Sequence, residues 1–139
     1  MIAMEIGQIV KAFKKTGTYI GEITAINPDH YTVRIMAVLK HPMQGDLHNP
    51  RQADVPFFPG RKALAWREQT NVPANMVRPF DGRVPDYKES LLKAVQKLYD
   101  ELSAKRDDPY CARSLEALRE SMQDYELMYS IDFSPLRKS

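Results

Sequence analysis

Near residue 81 the apolar residues of this 139-residue chain change their repeat, from alternation to helical spacing. Alternation puts side chains on the two faces of a strand, and a repeat of about 3.6 gathers them on one face of a helix. A chain that switches once must place its strands first and its helices second. The expected fold class is therefore α+β: a small antiparallel SH3-like β-barrel over residues 1–80, followed by a C-terminal helical hairpin over residues 81–139 that packs on it. With 43% apolar and 27% charged residues the chain can bury a core for such a unit.

Three segments before the switch are rich in β-branched and aromatic residues: Gln8–Phe13, Thr18–Ile26 and Tyr31–Leu39. In the third, Tyr31, Val33, Ile35, Ala37 and Leu39 fall on one face and Thr32, Arg34 and Lys40 on the other. Asn27-Pro28-Asp29-His30 has turn chemistry and predicts a hairpin between the second and third. Residues 40–61 contain four prolines and two glycines, so neither a helix nor a central strand can run through them. Met43, Leu47, Val55, Phe57 and Phe58 nonetheless predict a structured loop packed onto the barrel. Two further strands are expected at Lys62–Glu68 and Asn75–Arg78, with Leu64 and Trp66 as central core and Gln69–Pro73 as the turn between them.

Asp86 followed by Glu89 is a helix start signal, and Leu91, Leu92, Val95, Leu98, Tyr99 and Leu102 then recur at helical spacing to about Ala104. Asp108 and Pro109 restart the pattern as cap and first helical position. Cys111, Leu115, Leu118, Met122, Tyr125 and Tyr129 share one side of the second helix. So short a connection predicts antiparallel neighbours packed stripe against stripe.

Charge constrains function only weakly. Residues 1–80 hold ten Lys/Arg against six Asp/Glu, and residues 81–139 hold ten against twelve, for a net +2. A nucleic-acid binder is expected to concentrate its lysines more densely, but Lys11, Lys14 and Lys15 beside Phe13, Tyr19 and Tyr31 are a candidate stacking face for the alternative of an SH3-like nucleic-acid-binding module. Cys111 is the one cysteine, which excludes an intramolecular disulfide and fits a reducing compartment. The first residues, MIAMEIGQIVKAF, carry neither a basic start leading into a long apolar run nor an early cysteine for lipid attachment. The expected location is cytoplasmic, with a peripheral place at the inner face of the cell membrane compatible with the same residues.

A search for chemistry finds little. His41, Asp46 and His48, with His30 as a neighbour, are the residues to test as a metal site, but their spacing matches no ligand motif and histidines before prolines also serve as hydrogen-bonding groups. Cys111 lies on an apolar helix face, where a core thiol is expected instead of a nucleophile. The chain carries no Gly-rich phosphate cradle, HExxH or GxSxG. No catalytic residue, cofactor or small-molecule substrate is expected. The proline-stiffened loop has a preset shape and would lose little entropy on docking. His41, Gln44, Asp46, His48, Asp54 and Phe57 of the loop, with Trp66 and Arg67 on the adjacent face, are the candidate contact residues for a protein partner.

Ile6–Ile23 (IGQIVKAFKKTGTYIGEI), Val38–Pro50 (VLKHPMQGDLHNP), Ala53–Phe58 (ADVPFF), Ala63–Pro73 (ALAWREQTNVP) and Met76–Tyr87 (MVRPFDGRVPDY) resemble the kinase-associated protein B family of endospore-forming bacteria. The likeness runs over nearly the whole chain and implies an antiparallel sheet or barrel with a helical extension. It also implies a role in activating, or supporting the expression of, a membrane-bound sensor histidine kinase that feeds the sporulation phosphorelay, and it implies no catalytic residues. Members are described as lipoproteins. This sequence departs there, since Cys111 is deep in the second helix.

Overall fold

The computed structural model describes residues 4–45, 52–55 and 58–137. Strands β1 (Ile9–Lys14), β2 (Gly17–Ile26), β3 (His30–Lys40), β4 (Gln69–Pro73) and β5 (Val77–Pro79) form one antiparallel sheet in the order β4-β3-β2-β1-β5. The sheet curls until Lys14 at the end of β1 donates to Thr70 Oγ1 at 2.5 Å and to the Asn71 carbonyl at 2.7 Å on β4. Its outermost strands do not pair, so the expected barrel is a partly open sheet. Gly21 marks the tightest crossing, where a Cβ would stand 2.5 Å from the Arg34 carbonyl oxygen.

Helices α1 (Tyr87–Ala104) and α2 (Pro109–Tyr129) follow, with a final turn α3 (Ser134–Arg137). Asp86 accepts from the Glu89 amide at 3.3 Å and Asp108 from the Tyr110 amide at 3.2 Å, so both expected caps hold. Helix α1 lies against β3 and α2. Leu91, Val95, Tyr99 and Leu102 from α1, with Leu115, Leu118, Met122 and Tyr125 from α2, join Val10, Ile23, Val33 and Ile35 of the sheet in one hydrophobic core. At roughly 1.5 to 3 kcal/mol for each large apolar side chain before entropy, this shared burial is what fixes the helices on the sheet.

Two expectations about the strands fail, for physical reasons. The alternation read in β3 breaks because Tyr19 opposes Val38 while Thr18 opposes Lys40, leaving Leu39 as an extra, bulged residue. The bulge turns Val38 inward and leaves Leu39 39% exposed. Lys62–Glu68, in turn, is not a strand. Its first half runs beside the helices without a sheet partner, a turn follows at Trp66 and Arg67, and the strand begins at Gln69, inside the segment expected to be a turn.

Candidate functional site

Backbone groups buried without a sheet partner must find other ones. Tyrosine hydroxyls supply them around residues 61–65. The Tyr125 hydroxyl accepts from the Ala63 amide at 2.8 Å, the Tyr19 hydroxyl accepts from the Leu64 amide at 3.3 Å, and the Tyr87 hydroxyl donates to the Leu64 carbonyl at 2.5 Å. Burial pushes the Tyr19 phenol up to about 12 and raises those of Tyr87 and Tyr125, so all three stay neutral.

His41 belongs to the same seam. It is 2% exposed, its Nε2 lies 2.8 Å from the Tyr125 hydroxyl and its Nδ1 lies 3.0 Å from the Pro42 carbonyl. Tyr125 accepts from Ala63, so its own proton goes to Nε2, and Nδ1–H donates to Pro42. Burial pushes the imidazole down to about 4, keeping it neutral. Both ring nitrogens are thus committed inside the protein.

Gln44, 3% exposed, is the next tie: its amide donates to the Arg61 carbonyl at 2.9 Å and its oxygen accepts from the Arg61 amide at 2.9 Å. Arg61 Nε donates to the Gly45 carbonyl, and the Gly45 amide to the Pro59 carbonyl. The two ends of the proline-rich loop are therefore joined side by side. They rest mainly on α2, with one tie to the turn between β1 and β2, where the Met43 amide donates to Thr16 Oγ1 at 2.9 Å: Tyr110 donates to the Gln44 carbonyl at 2.9 Å, Phe58 packs on Tyr110, and Arg113 covers Phe58 and donates to the Ala53 and Val55 carbonyls.

This geometry separates the candidate contact residues. His41 and Gln44 are interior ties that border a hollow. Asp54 is exposed, and Asp46, His48 and Phe57 lie outside the described residues. His30 binds Asp29 at 2.7 Å at the start of β3, the length of the strand away from His41, roughly 30 Å at about 3.3 Å per residue. The two therefore do not converge.

Trp66, expected in the core, is 57% exposed, with the Arg67 guanidinium 5.5 Å from its ring. The turn beneath it is firm. Arg67 adopts a left-handed φ of 69°, and its amide donates to the Ile35 carbonyl at 2.7 Å. The Ile35 amide donates to the Glu68 carbonyl, and the Ala65 amide to the Glu68 side chain at 2.8 Å.

The stacking face proposed for nucleic acid does not assemble. Tyr19 is buried and Lys14 is spent on β4, while Phe13, with Lys11 5.4 Å from its ring, exposed Lys15 and half-buried Tyr31 remain accessible.

A scan of family models matches residues 14–126 to Kinase associated protein B. The chain belongs to that family. It is 57% identical over 118 residues to the Kinase-associated lipoprotein B of Bacillus subtilis strain 168, covering 85% of this chain and 91% of the relative. A crystal structure of kinase-associated protein B from Bacillus cereus superposes with a TM-score of 0.76 at 43% identity, over 89% of this chain and 99% of the other. The resemblance read in the sequence is thereby shown, as is the α+β fold. Among the described residues no helix is long and apolar enough to cross a membrane.

Against the family background, a hollow of about 590 Å³ is the feature that sequence reading missed. It opens between the end of β3 with the residues after it, α1, and the start of α2. Leu39, Met43, Leu98 and Leu102 supply apolar lining, and Lys40, Lys97 and Lys105 stand among its wall residues with Glu101. The available signal was the spacing of four along α1 from Glu89 through Lys93, Lys97 and Glu101 to Lys105, which puts these charges on one line of the helix.

Proposed function

We propose that this protein is a non-catalytic accessory factor that binds a membrane-bound sensor histidine kinase and supports its activation or expression in the sporulation phosphorelay, working in the cytoplasm and meeting the kinase at the inner face of the membrane. Family membership and the name of the Bacillus subtilis relative support the association with a kinase. The observation that carries the binding mode is Trp66: a large aromatic side chain, more than half exposed, held by a turn whose backbone is fixed to β3 and flanked by Arg67. Tryptophan and arginine dominate the energetics of protein interfaces, and a turn whose backbone is already fixed in place loses little entropy on docking.

The test is capture of the purified cytoplasmic region of the kinase by the full chain. Trp66→Ala should weaken capture about 30-fold, the equivalent of roughly 2 kcal/mol at an interface centre, without altering the unfolding midpoint. Capture that is undetectable with the unaltered protein, or equal in the variant, overturns the reading.

A further inference from the structure

The hollow beside α1 continues into a second one of about 290 Å³, and the two share Leu39, Ala94 and Lys97. Together they form one groove between α1 and the end of β3. From Glu89 to Lys105 its helical wall runs about 24 Å at ~1.5 Å per residue, the length of a partner helix of about four turns. Leu39 faces this groove because the bulge in β3 displaced it from the core, and bulges commonly re-aim a side chain at a functional surface.

The charges beside the groove are unbalanced. Lys40, Lys93, Lys97 and Lys105 stand against Glu89 and Glu101, and none of the four lysines forms an ion pair with a described residue. Lys93 and Lys97 are four residues apart on one helix face, an arrangement that disfavours the isolated helix. Lysines on a solvated helix face would account for the charge, but not for exposed Leu39 and half-buried Leu98 beside them.

We propose that this groove receives an acidic amphipathic helix of a protein partner, with its apolar stripe on Leu39, Ala94 and Leu98 and its carboxylates toward the four lysines. The groove is about half open to solvent, which suits a helix laid into it better than a small molecule that must be enclosed to bind well. The proposal rests on the reading that this protein acts by binding another protein, and adds a surface distinct from Trp66.

The test uses the full chain, isotopically labelled, and two synthetic amphipathic helices of about sixteen residues, one with leucine and glutamate and one with lysine replacing glutamate. The glutamate peptide should shift the amide signals of Leu39, Ala94, Leu98 and Ser114 and bind at least about tenfold tighter than the lysine peptide, with affinity falling as salt rises. The double variant Lys97→Glu/Lys105→Glu should reverse that preference while keeping the wild-type circular dichroism spectrum. Equal binding of both peptides, shifts confined to the Trp66 turn, or occupation of the groove by dodecanoate with neither peptide bound would overturn the proposal. Kinase capture separates the two claims. If Trp66→Ala abolishes capture and Lys97→Glu/Lys105→Glu leaves it unchanged, the groove proposal falls and the accessory role stands; if the unaltered protein captures no kinase while the peptide preference reverses as expected, the accessory role falls and the groove stands.

Discussion

The two helices have a different neighbour on each side, and the contrast is one of hydrogen-bond saturation. Toward residues 41–45 and 61–65, tyrosine hydroxyls, His41 and Gln44 pair the buried backbone groups one by one. Toward the end of β3, the groove leaves Leu39 exposed, Leu98 half-buried and four lysines without ion pairs among the described residues. Unmade hydrogen bonds in a buried place cost stability, so the first seam must be complete for the chain to fold. The groove is the place where we propose that another molecule binds. One side of the helices determines stability and the other is available for association.

The comparison breaks most readily at Tyr125. Tyr125→Phe removes one hydroxyl that serves both Ala63 and His41, leaving two buried groups unpaired. It should lower stability by about 4 kcal/mol, read as a reduced urea midpoint with an unchanged slope. A loss below about 1 kcal/mol would show that the seam is not what holds residues 61–65.

Acid should strain the same seam through His41. Its folded-state value is about 4 against an ordinary 6.5, so the unfolded chain takes up the proton first. Stability contributed by the neutral imidazole is complete above about pH 6.5 and is lost as pH falls toward about 4, by about 3 kcal/mol in all. Unfolding free energies measured across that window should show the fall, and His41→Asn should flatten that part of it. A wild-type profile with no slope between those limits would place the histidine in a wetter environment than the structure does.

Smaller effects sharpen the contrast at the edges. Asp108→Ala removes the cap at the start of α2, near the floor of the groove, and should cost about 1 kcal/mol by thermal or urea unfolding. Trp66→Ala and Lys97→Glu/Lys105→Glu should each change stability by less than about 0.5 kcal/mol, because exposed side chains away from structural ties rarely do more. A loss several times larger at either surface would mean that it belongs to the folded framework after all.

Much of the architecture was readable from local signals. The change of repeat near residue 81, the caps at Asp86 and Asp108, and the three N-terminal strands all appear where short-range chemistry places them. The candidate site was much less readable. Trp66 looks like core because an expected strand would put it on one face with Leu64, yet the turn at Arg67 swings it outward. His41 and Gln44 look like exposed loop residues, yet Tyr125 and Arg61 draw them inside.

What the sequence determined by itself is that strands precede helices, the boundaries of the first three strands and of both long helices to within a few residues, and the family, because these rest on repeats, caps and motifs that lie within a short stretch of chain. Only the tertiary structure decided which irregular segment would be saturated and which surface left open. The bulge that exposes Leu39 depends on register with β2, and the pairing of residues 61–65 depends on hydroxyls from Tyr19, Tyr87 and Tyr125. The nearest of those tyrosines is 23 positions away from its partner and the farthest 62, and a local reading of the chain cannot see a hydrogen bond across such a distance.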